Sequence, residues 1–234
     1  MKIIVAEFPK SGGSWLVSML GDALSYPKRD LYTTDRYSFF DTTLHPWYRG
    51  VSSFDLPESC VIKSHEFPDT AIHPFPAARI HLMRDCRDVV VSRYFFAKDF
   101  CVNNGLIKEF TDSFAEHAWK SASGWARFVS AWAKEDVITL SYENLLRDAL
   151  GEMKRVLNIL GESIADDMIQ FAVQNNTKEK MHQSLAEAFK YNTFVRKGIS
   201  GDWTNYFTEE IKSIVKQHAG EALVATGYTK NNDW

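Results

Sequence analysis

Cysteine is scarce in this chain. Cys60, Cys86 and Cys101 are the only three among 234 residues. They form no CxxC pair and no metal-ligand spacing, and an odd count does not suggest a disulfide framework. A reducing compartment is the natural setting. Basic excess is missing too: 27 Lys and Arg stand against 30 Asp and Glu, for a formal net charge of −3. That balance argues against nucleic acid, or a strongly polyanionic acceptor, as the main partner. Long apolar runs are also lacking. The run that opens the chain is cut off at Glu7, too short for a signal-peptide core, and no later stretch could span a bilayer without charges. The expectation is a cytoplasmic protein with no membrane span. Its 45% apolar content supports a real core. The length suits one α/β domain, residues 1–234, better than two.

The patterning gives the fold class. Ile3 to Phe8 is a short β-branched run bounded by Pro9 and Gly12, and reads as a buried strand. Ser14 to Leu24 follows with helical spacing, so Pro-Lys-Ser-Gly-Gly joins a strand to a helix. Cys60 to Lys63 and Ala78 to Met83 read as further strands, and Asp88 as the N-cap of a helix from Val89 to about Lys98. A long amphipathic helix is expected from about Asp112 to Ala133. Val137 to Leu140 reads as a strand and 145–160 as a helix ended by Gly161. Two helical segments follow within 164–190, and a last one from Thr208 to about Ala225. Residues 26 to 58 carry many aromatics and little regular pattern, as binding loops and lids do. Strands alternating with helices predict a three-layer α/β/α fold with a mostly parallel central sheet, related to P-loop nucleotide-binding folds.

Three segments are chemically suggestive. In Phe8-Pro-Lys-Ser-Gly-Gly-Ser-Trp15 a glycine turn aims backbone N–H groups and a positive helix end at one point, which suits a phosphate. It is not a Walker A loop, because Lys10 precedes the glycine pair. An ordinary strand-to-helix turn is the bland alternative. Arg84-Asp-Cys-Arg-Asp-Val-Val-Val-Ser92 offers an arginine fork and a hydroxyl in the first turns of a helix; an Arg84–Asp88 ion pair would be the structural use. Phe194 to Trp203 contains Arg196-Lys197-Gly198, otherwise a solvated basic turn. His65, in Val61-Ile-Lys-Ser-His-Glu, follows a strand at the end where α/β sheets place ligands, and imidazole takes a proton near neutral pH.

In this order the segments resemble the cytosolic sulfotransferase family. PKSGGSW is similar to that family's PKSGTTW loop, with Gly13 and Ser14 at the two threonine places. The resemblance implies 3′-phosphoadenosine 5′-phosphosulfate as co-substrate. Lys10 would contact the bridging oxygen, Ser11, Gly12, Gly13 and Ser14 the phosphate oxygens, and Trp15 would stack on adenine. Arg84 and Ser92 fall at the family's 3′-phosphate positions, and Arg196, Lys197 and Gly198 match its RKG; the last lysine of that segment is Thr204 here. Tyr142, in a YEDL-like segment, and Thr177 fall at adenine contacts, with Lys178 where an aromatic is expected. Lys63-Ser-His65 resembles the family's KSH, in which the histidine is the base and the lysine assists.

The implied reaction is in-line sulfuryl transfer to a hydroxyl of a small-molecule, lipid or glycan acceptor, with no metal expected. Two other readings are a P-loop nucleotide kinase and a catalytically silent nucleotide-binding protein. An apolar acceptor pocket could draw on the aromatics between Tyr32 and Phe54 and on Tyr94, Phe95, Phe96 and Phe100, unless those rings only cap the core.

Overall fold

The protein is described by a computed structural model, which covers residues 1–30, 56–69, 76–186 and 195–234. The aromatic stretch from Tyr32 to Phe54, His45 and His73 lie outside the described residues.

Five strands make one sheet in the order β2-β3-β1-β4-β5. They are β1 (Lys2–Glu7), β2 (Lys28–Asp30), β3 (Cys60–Ser64), β4 (Ala78–Met83) and β5 (Ile138–Ser141). Each neighbouring pair is parallel, with Val5 opposite Lys63 and Ile80, and Leu82 opposite Leu140. A parallel sheet covered on both faces needs apolar residues of both parities. β1 supplies them: Ile3, Ile4, Val5 and Ala6 are all fully buried.

Among the described residues the α-helices are α1 (Gly13–Leu24), α2 (Cys86–Phe95), α3 (Phe114–Trp132), α4 (Tyr142–Arg147), α5 (Ala149–Ile159), α6 (Asp166–Asn175), α7 (Lys178–Ala186) and α8 (Glu209–Ala225). Ile3 and Val5 pack with Leu16 and Leu20 of α1, Val156 of α5 and Ile169 of α6. Ala6, one step out of phase, packs with α2, α3 and α8 through Val90, Trp125, Phe128 and Leu223. The expected three-layer α/β/α architecture is therefore present. Burying a large apolar side chain of this kind stabilises by about 1.5–3 kcal/mol.

Several boundaries differ from expectation. α2 starts three residues early, because Asp85 rather than Asp88 is its N-cap and accepts from the Arg87 amide at 2.9 Å. After Phe95 the chain continues as a π-helical turn, Phe96–Cys101. The helix expected over 145–160 is two helices, since Asp148 leaves helical geometry to cap α5 through the Gly151 amide. β2 is a short strand that lies inside the stretch read as irregular.

His81 of β4 is enclosed by the same packing. It is 2% exposed, stacks on Trp132 with ring centroids 6.0 Å apart, and lies 5.8 Å from Phe128. Burial lowers its pKa from 6.5 to about 4. Because the folded value lies below the unfolded one, titration of this site costs nothing above pH 6.5. As pH falls toward 4, the unfolded chain binds a proton that the folded chain refuses, a loss approaching ~3 kcal/mol. His81→Leu should therefore lose less stability than the wild type in urea unfolding between pH 6.5 and 4. Parallel losses in the two proteins would show that His81 is not the source.

Candidate active site

Because every strand runs the same way, the C-terminal ends of β1, β3, β4 and β5 share one edge of the sheet. The Phe8–Ser14 loop, His65, Arg84 and Tyr142 all leave from that edge, and they border a cleft of about 480 Å³. Lys10, Gly12, Gly13, Ser14, Trp15, Lys63, His65, Arg84, Ser92, Tyr142, Arg196, Lys197 and Gly198 all line it. Ser11 and Thr177 do not: Ser11 is 1% exposed, and Thr177 sits at the start of α7, accepting from the Lys180 amide.

The loop owes its shape to two left-handed residues, Lys10 (φ 77) and Gly12 (φ 100). A lysine there is unusual and costs free energy. The Arg84 guanidinium ties the turn down by donating to the Lys10 carbonyl at 3.0 Å. Gly12 caps α1, and a Cβ on it would lie 2.7 Å from the Tyr142 ring, so glycine permits both the turn and the close approach.

Arg84 bridges two segments, since its second nitrogen donates to the Ile199 carbonyl at 3.0 Å, and its guanidinium lies 4.3 Å from the centre of the Tyr142 ring. Asp88 does something else: its carboxylate accepts from the amides of Gly201 at 2.7 Å and Trp203 at 3.0 Å. The Arg84–Asp88 pair considered from sequence is thus replaced by two separate tethers of the 199–203 turn. Arg196 and Lys197 both reach Asp202, at 2.5 Å and 2.7 Å, and Arg196 also meets the Tyr206 hydroxyl at 3.0 Å. Lys178 extends its stem along the cleft and donates to the Lys197 carbonyl at 2.6 Å. Trp15 and Tyr142 face each other edge-on at 6.0 Å. Thr204 is exposed and bonds the Gly201 carbonyl, away from the cleft.

The charge distribution is lopsided. Lys10 is half-buried beside Lys63 and Arg84, and withdrawal from water together with Lys63 lowers its pKa to about 7 against the pull of Glu7. His65 is likewise held well below 6.5 by burial and by Lys63, Arg93 and Lys10, with its bond to Glu7 acting the other way. Its Nδ1 lies 2.8 Å from the Glu7 carbonyl oxygen. A carbonyl only accepts, so Nδ1 carries the hydrogen and Nε2 the lone pair. Five buried side-chain polar atoms among the described residues lack a hydrogen-bond partner, and Ser11 Oγ, Arg84 Nε and Arg196 Nε are three of them. Arg84 and Arg196 line the cleft, so their unused donors suit an anion bound between those two segments.

Of Tyr94, Phe95, Phe96 and Phe100, the described part of the expected acceptor pocket, only Phe96 lines the cleft. Tyr94 packs against Phe110, Phe114 and His117, Phe95 against Tyr206, and Phe100 is fully buried beneath Phe96 at 5.1 Å. Phe110, Ile107 and His117 join Phe96 on the wall instead. Sequence reasoning missed Glu7 as a site residue, met Lys178 only as the residue standing where an aromatic was expected, and gave Asp202 no role. Glu7 left a trace, as the charge that ends an apolar strand.

The Sulfotransferase domain family matches residues 1–227. Human sulfotransferase 2A1 is 26% identical across 88% of this chain and 78% of the relative. Human sulfotransferase 1E1 is 24% identical across 92% and 81%. Among solved structures, retinol dehydratase in complex with androsterone and inactive cofactor PAP superposes with a TM-score of 0.72 at 21% identity, over 95% of this chain and 80% of that one. Mouse sulfotransferase SULT7A1 complexed with PAP gives 0.70 at 19% identity, over 97% and 87%. At such identities the superpositions speak for the fold.

Proposed function

The chain belongs to the sulfotransferase domain family, and we propose that it transfers the sulfuryl group of 3′-phosphoadenosine 5′-phosphosulfate to a hydroxyl of a small molecule. As a sulfotransferase it is an enzyme of group transfer, and the kinase reading falls away. The observation that carries the proposed donor is the meeting of three cationic segments, distant in sequence, on one cleft. In this reading Arg84, Ser92, Arg196, Lys197 and Gly198 hold the 3′-phosphate, and Lys10, Ser11, Gly12, Gly13 and Ser14 the 5′ side. Trp15 and Tyr142 flank the adenine. Thr177 has a lesser share, being off the cleft wall, and the stem of Lys178 takes the place of an aromatic there.

His65 Nε2 accepts the acceptor's proton as its oxygen attacks sulfur. The new bond is acceptor oxygen to sulfur, and the breaking bond is sulfur to the bridging oxygen. That oxygen leaves with the electron pair on adenosine 3′,5′-bisphosphate, facing Lys10, while Lys63 steadies the sulfuryl oxygens. The low basicity of His65 reflects burial first and the surrounding cations second, and a polyanionic donor offsets the cations' share, so binding itself helps prepare the base. The wall of Phe96, Cys101, Ile107, Phe110 and Val195 favours a small apolar alcohol or phenol as acceptor. Lipid and glycan alcohols are the comparison arms of an acceptor screen. No helix among the described residues is long and apolar enough to cross a membrane.

Two predictions follow from these roles. His65→Ala should lose about 10²–10⁴-fold in turnover with adenosine bisphosphate affinity nearly intact, whereas Arg84→Ala should weaken that affinity roughly tenfold or more. Calorimetry beside a radiolabelled transfer assay separates them, and equal loss of binding in both would refute the assignment. Wild-type binding without turnover on any acceptor would identify a silent nucleotide binder instead. Second, Lys10 with a pKa near 7 is mostly neutral at pH 8, and a phosphate beside it raises that value. Binding at pH 8 should then take up as much as about one proton. The enthalpy should vary with the ionisation heat of the buffer, and Lys10→Met should abolish the variation.

A further inference from the structure

Glu7 touches all three working parts of the site. Its carboxylate accepts from the Gly13 amide of the phosphate loop at 2.5 Å and lies 3.8 Å from Lys63 Nζ, while its carbonyl fixes the His65 ring at 2.8 Å. It is 2% exposed. A buried carboxylate is expensive unless compensated, and its placement here is local and specific. A Cβ on Gly13 would come within 2.4 Å of the Glu7 carboxyl group. The family's loop pattern has threonine at that place, so the glycine of this chain makes room for the carboxylate.

We propose that Glu7 is a positioning residue for sulfuryl transfer, holding Lys63, the loop amide of Gly13 and the His65 ring in one register, and that Gly13 is its steric counterpart. The proposal rests on the site roles argued above. A carboxylate does not help an anionic donor to bind, so the gain lies in turnover. Glu7 sets the aim of Lys63 and spaces the crowded ammonium groups. Burial raises its carboxyl above the ordinary range, while Lys63, the Gly13 amide, Lys10 and the Ser11 amide work against that rise. Lys10 in turn faces Lys63, Glu7, Arg84 and Cys101, and among these Glu7 is the main group supporting its protonated form.

Glu7→Gln keeps the shape and an acceptor for Gly13 while removing the charge. It should lower kcat roughly 10- to 100-fold without raising the donor KM. The alkaline limb of kcat/KM should move to lower pH, because Lys10 loses the carboxylate that favours its protonated form. Turnover and limb unchanged from the wild type would overturn the proposal, as would a loss of kcat with the limb unmoved, which a merely structural residue would give. Should Glu7→Gln not fold, Gly13→Ala displaces the same carboxylate, and a folded Gly13→Ala with wild-type kcat overturns the idea equally. A thermal-stability cycle needs no substrate: Gly13→Ala should cost less in a Glu7→Ala background than alone, and equal costs would count against the pairing. If the wild type itself fails to bind adenosine bisphosphate, the donor assignment is lost, an outcome distinct from any behaviour of Glu7.

Discussion

The constraint on which the site depends is the crowding of buried positive charge at one edge of a parallel sheet. Lys10, Lys63 and Arg84 come from three different strand ends, yet each is desolvated within reach of the others. Burial first, and then repulsion by Lys63 and Arg84, lowers the pKa of Lys10 to about 7. One buried carboxylate, Glu7, offsets part of that repulsion. The remainder is a standing bias toward an anion. Fixed charges of this kind stabilise a transition state because their reorganisation is complete before the reaction begins.

The core supplies the rigidity that keeps those charges in place. Trp125 and Trp132 of α3 are fully buried, and each spends its indole N–H on a carbonyl at the site edge: Trp125 on Arg84 at 3.0 Å, Trp132 on Glu66 at 3.1 Å. The packing layer and the catalytic edge are therefore joined by direct bonds. On the other side Asp88, at the start of α2, holds the 199–203 turn through two amides. Arg196 and Lys197 rest on Asp202 of the same turn, so their positions follow from that tether. The chain adds little rigidity of its own around Gly198 and Gly201, both of which have positive φ.

Much of this was legible in the residues. A β-branched run ending in Pro-Lys-Ser-Gly-Gly specifies a buried strand, a turn and a helix with few alternatives, and β1 and α1 begin and end within a residue or two of expectation. The parallel sheet followed from alternation, and sheet order then brought Lys10, His65 and Arg84 to one edge. Caps were harder. Asp85 and Asp88 are equally good capping residues in sequence, and only the packing of Gly201 and Trp203 against α2 decides that Asp88 faces outward to the turn. Glu7 was visible only as the end of an apolar run, because nothing local says that Gly13 will stand against it. Which aromatics face the cleft was likewise undecidable, since Phe96 and Phe100 sit on one π-helical turn and differ only in what lies above them.

The most direct measurement is a crystal structure with adenosine 3′,5′-bisphosphate. The account predicts one nucleotide whose 3′-phosphate meets Arg84 and the Arg196-Lys197 pair together. Its 5′-phosphate should lie against Lys10 and the loop amides, with His65 Nε2 turned toward the side from which the acceptor attacks, opposite the leaving oxygen. A nucleotide bound elsewhere, or phosphates that leave Arg84 and Arg196 on separate partners, would contradict it.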